Sequence, residues 1–243
     1  MQALIRRWCG LERAQRLIAG PYQSPLEFVQ AANREYALEI RVVNPPAGPF
    51  ESTIFVSTHH SGAVDFLATY PTLQALAPNL KIVVNRELSV LSPLGSVFIG
   101  VHTLSRGHLN VAGTKTILQV LQSGGNILVY PAGKVAALES GAPKDLAWQE
   151  GMARLFVSHA KQVIPIYVDA KNSRLFYLLR KIFPRLGLLV MLWALTGRKR
   201  EPIHVCFGTP IPTSTFTNVS SREIMERLRQ ETYALEPLLG GLR

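Results

Sequence analysis

Short apolar runs of β type alternate with helical stretches along nearly the whole chain, and this alternation limits the fold more than any other feature. Strand-like runs fall at 39–43, 53–58, 80–84, 97–103, 126–130, 163–168 and 203–207. Helical stretches lie between and around them at 25–34, 64–76, 109–123, 148–160, 173–183 and 221–235. Parallel strands need crossovers, and helices in these positions supply them. Gly124-Gly125 divides a helix from a strand, as a C-cap glycine does. The expected architecture is a single α/β domain: a mixed, mostly parallel sheet flanked by helices. A chain of 243 residues is long enough to bury such a core.

The N-terminal segment reads differently. Leu4, Trp8, Leu11 and Ile18 fall near one helical face, with Arg6, Arg7, Arg13 and Arg16 flanking it. Residues 2–19 are expected to form an amphipathic helix that stops at Gly20-Pro21, lying either on a membrane or against the domain. The organisation is then 1–22 amphipathic helix, 23–215 main domain and 216–243 a C-terminal helix packed on that domain. A strand with an interior proline, Val163-Ile-Pro-Ile-Tyr167, is expected at a sheet edge or a bulge, because proline cannot donate to the ladder.

Charge narrows the partners. The net charge is +10 and 47% of the residues are hydrophobic. Arg174, Arg180, Lys181, Arg185, Arg198, Lys199 and Arg200 make seven basic residues in a stretch with no acidic one. Long apolar runs such as Leu186 to Ala194 separate them. Nucleic-acid binders set their charge on polar surfaces and carry recognition motifs, which are missing here, so nucleic acid is not an expected partner. Apolar stretches between cations suit an anionic lipid surface. No run reaches the ~18 apolar residues that a membrane-crossing helix requires. Arg6-Arg7 precedes no apolar stretch of signal-peptide type, so a peripheral protein on the cytoplasmic side of a membrane is expected. Cys9 and Cys206 have neither metal-like nor redox-like spacing. They are read as inert thiols, and no metal site is expected.

The chemistry concentrates at one strand-to-helix junction, Thr53-Ile-Phe-Val-Ser-Thr-His-His-Ser-Gly-Ala-Val-Asp65. Ser61 is a plausible N-cap. Asp65 then sits in the first helical turn, where the side chain leans back toward the histidines and the helix dipole favours a carboxylate. A histidine oriented by an aspartate makes a general base at neutral pH. A His-Asp pair of this kind equally well ties a loop to a core. A second apolar strand ends in Tyr130-Pro-Ala-Gly-Lys134, and a third runs through Gly100-Val-His-Thr-Leu-Ser-Arg106. Ligands in open α/β sheets bind at such strand carboxyl ends.

Taken in order, His60 to Asp65, Gly100 to Arg106, Tyr130 to Lys134 and Val163-Ile-Pro165 resemble the four blocks of the glycerolipid acyltransferase superfamily, the 1-acyl-glycerol-3-phosphate acyltransferases and their relatives. The resemblance covers roughly residues 50–210. It departs in the third block, where Ala132 and Val135 replace the family's glutamate and arginine. The Pro-Ala-Gly form is similar to the hemolysin-like branch, which includes acyltransferases that make ornithine lipids and other aminoacyl lipids. Trp148-Gln-Glu-Gly151 and Asn172-Ser-Arg-Leu-Phe176 also look like that branch. The superfamily's His-x4-Asp count selects His60, and the branch pattern selects His59, so both stay open.

The resemblance implies an acyltransferase with no tightly bound cofactor, acting at a membrane. It implies a fatty acyl thioester of acyl carrier protein or coenzyme A as donor. The acceptor would be a lysolipid or aminoacyl lipid. His59 or His60 is the base and Asp65 orients it. Arg106, Tyr130, Pro131, Gly133 and Lys134 are the implied acceptor-binding residues. The backbone N–H near Gly62 is the implied oxyanion donor. A non-catalytic lipid-binding protein that keeps the fold is the alternative.

Overall fold

A computed structural model of the chain describes residues 10–101, 111–183, 186–197 and 201–240. Strand β2 (Thr53–Ser57) is buried at every position. A strand reading Thr-Ile-Phe-Val-Ser can be dry on both sides only if helices cover both faces of its sheet. Among the described residues the sheet has eight strands. These are β1 (Ile40–Val43), β2, β3 (Leu80–Asn85), β4 (Phe98–Val101), β5 (Asn126–Val129), β8 (Gln162–Asp169), β9 (Ile203–Phe207) and β10 (Ile211–Pro212), in the order β1-β9-β8-β2-β5-β3-β4 with β10 also on β8. Strands β9 and β10 run antiparallel to β8, and the other pairings are parallel. The sheet is therefore mixed and mostly parallel.

Side chains alternate across the sheet with the period of two that a strand imposes. Phe55 and Ile164 join a core under helices α2 (Pro25–Glu35) and α3 (Ala63–Leu76). Ile54, Val56 and Val163 join the opposite core, under α4 (Val111–Gln122), α5 (Ala153–His159) and α8 (Ser221–Tyr233). Local chemistry starts these helices. Pro25 stands at the first turn of α2 with Ser24 as its cap. Ser220 and Glu223 form a capping box at α8.

Helix α1 (Leu11–Ile18) begins after Gly10, an N-cap with φ 73°, so the expected helix over 2–19 does not run unbroken through this point; residues 1–9 lie outside the described residues. Leu17 and Ile18 pack on the core beneath α2 and α3. Helix α7 (Gly187–Thr196) follows α6 (Arg174–Ile182) and touches both α6 and α1. No described helix is long and apolar enough to cross a membrane.

Two local findings correct the expectations. Strand β8 is interior, not at an edge, although it carries Pro165. The Pro165 carbonyl accepts the Gly208 N–H at 2.9 Å. In a strand the N and C=O of one residue point the same way, so the missing donor faces the break between β9 and β10. The proline sits opposite an interruption in its neighbour, so no ladder bond is lost. A hairpin of β6 (Ala137–Glu139) and β7 (Ala142–Lys144) lies where no strand was expected. Its turn residues Ser140 and Gly141 both have positive φ, as tight hairpin turns require.

Candidate active site

Strands β8, β2 and β5 lie side by side and parallel, so their carboxyl ends, Asp169, Ser57 and Val129, meet at one sheet edge. The chain leaves β2 into Thr58-His59-His60 and leaves β5 into Tyr130-Pro131. Both candidate turns therefore open at the same place.

Asp65 holds the first turn together. It is fully buried and stands three residues into α3, whose N-cap is Gly62, not Ser61. Its carboxylate accepts the Ser61 N–H at 3.0 Å, the Ser61 hydroxyl at 2.6 Å and the Gly62 N–H at 2.9 Å. These donors, together with the helix dipole, compensate a buried negative charge. The remaining partner is His59, with Nδ1 to Asp65 Oδ2 at 3.0 Å. Nδ1–H donates, so Nε2 is left with its lone pair. The His59 side chain stays 19% exposed. Proton acceptance at Nε2 is what this arrangement can do.

His60 goes the other way. It is fully buried, with Nδ1 at 3.2 Å from the Val168 carbonyl and Nε2 at 3.2 Å from the Tyr233 hydroxyl. The carbonyl only accepts, so Nδ1 carries the proton. The Tyr233 oxygen already takes the Asp145 N–H at 2.9 Å, so its own O–H donates to Nε2. Both ring nitrogens are occupied, and no lone pair faces a substrate. Asp65 pairs with His59, with five residues between them, so the four intervening residues of His-x4-Asp do not describe the pair.

Asp145 joins the two histidines. Its Oδ1 accepts the His59 main-chain N–H at 3.0 Å and its Oδ2 the Trp148 indole N–H at 3.1 Å, while Arg229 donates to its carbonyl at 3.0 Å. Burial pushes its carboxyl up, against the pull of His60 and of the His59 N–H. Tyr177 donates to the His60 carbonyl at 2.9 Å and Asn172 to the Ser61 carbonyl at 3.1 Å. Sequence reasoning missed Asp145, Tyr177 and Tyr233. Asp145 is 86 positions from His59 and Tyr233 is 173 from His60. No local pattern marks pairs that far apart.

The third-block residues divide. Tyr130 lays its ring on His59, with centroids 4.4 Å apart. Its hydroxyl is buried, with no partner at full hydrogen-bond geometry among the described residues. Burial, and then the Asp65 charge, hold the phenol far above its usual range, against a weaker pull from Thr69. Tyr130, an expected acceptor-binding residue, presents a ring face to the site and keeps its O–H inside. Pro131 is buried and its carbonyl accepts the Gln149 N–H. Gly133 turns at φ 65°, with its N–H on the Tyr130 carbonyl. Lys134 is exposed in the same turn, which the Ala136 N–H ties to the His59 carbonyl at 2.7 Å. Arg106 lies outside the described residues.

The oxyanion donor was expected near Gly62; the N–H of Gly62 itself is donated to Asp65 at 2.9 Å and does not face the open site. The Gly62 φ of 84°, and the Met191 sulfur 2.7 Å from where a Cβ would stand, explain the glycine instead. Met191 of α7 and Val135 close over this turn.

A family model described as "Acyltransferase" matches residues 17–241. A lyso-glycine lipid O-acyltransferase of Phocaeicola vulgatus is 27% identical over 169 residues, which cover 67% of this chain and 60% of that protein. One from Bacteroides thetaiotaomicron is 25% identical over 169 residues, covering 67% and 61%. The chain thus spans about three fifths of the length of these curated relatives. The crystal structure of the 1-acyl-sn-glycerophosphate (LPA) acyltransferase PlsC from Thermotoga maritima superposes with a TM-score of 0.54 at 17% identity, covering 88% of this chain and 79% of that one. At that identity the likeness concerns the fold.

Proposed function

Because the chain belongs to the acyltransferase family, whose model its residues 17–241 match, we propose that it moves a fatty acyl group from a thioester to the hydroxyl of a lysolipid with an aminoacyl headgroup. The observation that carries this reading is the His59 ring, held by Asp65 through Nδ1 at 3.0 Å with Nε2 left open on a partly exposed side chain. The donor is an acyl thioester of acyl carrier protein or coenzyme A. His59 Nε2 takes the proton as the acceptor oxygen attacks the thioester carbonyl carbon. The tetrahedral intermediate collapses with cleavage of the C–S bond, and the imidazolium returns its proton to the leaving thiolate. Asp65 keeps the imidazole in the required tautomer and stabilises its protonated form. No covalent acyl-enzyme is required.

The relatives' lyso-glycine lipid activity and the altered third block both support an acceptor without a terminal phosphate. Val135 cannot grip phosphate as an arginine fork does, and Lys134 offers only a point charge. A carboxylate headgroup needs no more than that.

The test is a competition between a lyso-glycine lipid and 1-acyl-glycerol-3-phosphate with one acyl thioester donor. The expected result is acylation of the lyso-glycine lipid at least as fast as of the phosphate. A strong phosphate preference that vanishes in Lys134→Ala would reverse the acceptor assignment. Transfer to neither acceptor, with the lipid still bound, would replace the enzyme reading with the lipid-binding one.

A further inference from the structure

Helix α6 is amphipathic the wrong way round for a helix that only packs on a domain. Its inward face carries Phe176 and Tyr177, both buried. Leu175, Leu178 and Ile182 recur at the spacing of one helical face and are 49%, 52% and 56% exposed. Phe183 and Leu186 continue the patch, each 48% exposed. These five are half of the ten large hydrophobics exposed among the described residues, and they fall within twelve positions. Single exposed leucines need no explanation, but a contiguous patch does. The β6 strand touches α6 and adds Leu138, 37% exposed.

Charge identifies what covers this face. Arg174 and Lys181 are exposed and seven residues apart, so they lie along one flank of the apolar face. No acidic residue occurs from 174 to 200. A protein partner needs no such one-sided charge, whereas an anionic bilayer offers both an apolar boundary and a negative surface. Helix α1 does not compete for this role among the described residues, because Leu17 and Ile18 are already packed on the core.

We propose that α6 lies in the surface of an anionic bilayer, with Leu175, Leu178, Ile182 and Phe183 in the acyl boundary and Arg174 and Lys181 among the headgroups. The opposite face of the same helix holds the candidate catalytic turn. Tyr177 donates to the His60 carbonyl, and Asn172, just before the helix, donates to the Ser61 carbonyl. Docking therefore sets the turn at a fixed height, about one helix diameter of ~10 Å above the acyl boundary. A lysolipid can then bring its hydroxyl to His59 without leaving the membrane. This consequence rests on the proposed lysolipid acceptor; the docking itself does not.

The test uses the full chain with vesicles of phosphatidylcholine, with and without phosphatidylglycerol. Sedimentation with the anionic vesicles is expected, weakening as salt rises. The triple variant Leu175→Ser/Leu178→Ser/Ile182→Ser should lose about a hundred-fold in partition, because three large apolar side chains no longer bury. Leu178→Trp should show blue-shifted emission on anionic vesicles only. Tyr177→Phe, on the inward face, should partition like the unmodified protein. Undiminished partition of the triple variant, or an unmoved Leu178→Trp spectrum, overturns the proposal. So does a Tyr177→Phe protein that loses the vesicles as fully as the triple variant. Vesicle binding without acyl transfer would leave the docking standing and reject the enzymatic reading alone.

Discussion

His59 and His60 are chain neighbours with opposite surroundings. Beyond the end of β2 the two side chains take different partners. His59 turns to the start of α3 and meets a buried carboxylate whose other bonds come from Ser61 and Gly62. His60 turns toward β8 and the end of α8 and meets a carbonyl and a hydroxyl. The first ring keeps one nitrogen open at a partly wet edge. The second has both nitrogens bonded in a dry interior. A base needs a free lone pair and a partner that stabilises its protonated form, and only His59 has both. The His60 side buys rigidity: with Tyr233, Asp145, Trp148 and Arg229 it forms a connected network, buried at His60, Asp145 and Trp148 and half-buried at Tyr233 and Arg229, that pins the turn from below.

This comparison can be broken experimentally. The largest effect belongs to the His59 side. Asp65→Asn should fold and lose about 10⁴ in kcat, because the imidazole loses its tautomer and its counter-charge. His59→Ala should lose a similar factor, and the double variant little more than either single, as for groups that act as one unit. Steady-state rates of acyl transfer decide this, and a fully active Asp65→Asn protein would dismiss the dyad.

His60→Ala comes next, and the effect should move from rate to stability. It strands the Val168 carbonyl and the Tyr233 hydroxyl and leaves a hole, costing about 2–4 kcal/mol in urea unfolding. The folded fraction should keep kcat within about ten-fold, as expected for a residue outside the reacting atoms. A rate loss equal to that of His59→Ala would erase the distinction between the two rings. The smallest effect is that of Tyr233→Phe. It removes the link between His60 Nε2 and the Asp145 N–H, and should cost about 1–2 kcal/mol of stability with kcat unchanged. Additivity of Tyr233→Phe and His60→Ala would mean that the two groups do not share one network.

Much of the architecture was legible in the chain. The seven strand-like runs match β1, β2, β3, β4, β5, β8 and β9 to within a few residues at each end, since apolar β-type runs bounded by turn residues are local signals. The β6–β7 hairpin was not legible: its strands are three residues each and exposed, so no hydrophobic alternation marks them. Helix α7 was read only as an apolar stretch, because ten residues from Gly187 to Thr196 show no polar face to give a period. Pro165 marked an interruption correctly, but the break lies in the neighbouring strand.

By itself, the sequence determined the αβ alternation, the junction that carries two histidines and an aspartate, and an acid-free basic stretch with apolar runs. Each is written in residues close together along the chain, where propensity, capping and periodicity act. Which of His59 and His60 pairs with Asp65 was decided only by tertiary structure. So was the loss of the Gly62 N–H to Asp65, and the outward turn of Leu175, Leu178 and Ile182. The first depends on Asp145 and Tyr233, brought in from other elements. The second depends on how tightly the α3 turn closes on its aspartate. The third depends on which face of α6 the domain had already covered, with Tyr177 drawn inward to the His60 carbonyl. A hydrogen bond depends on three-dimensional distance and angle, and residues far apart in the chain acquire those only when the sheet and its helices pack.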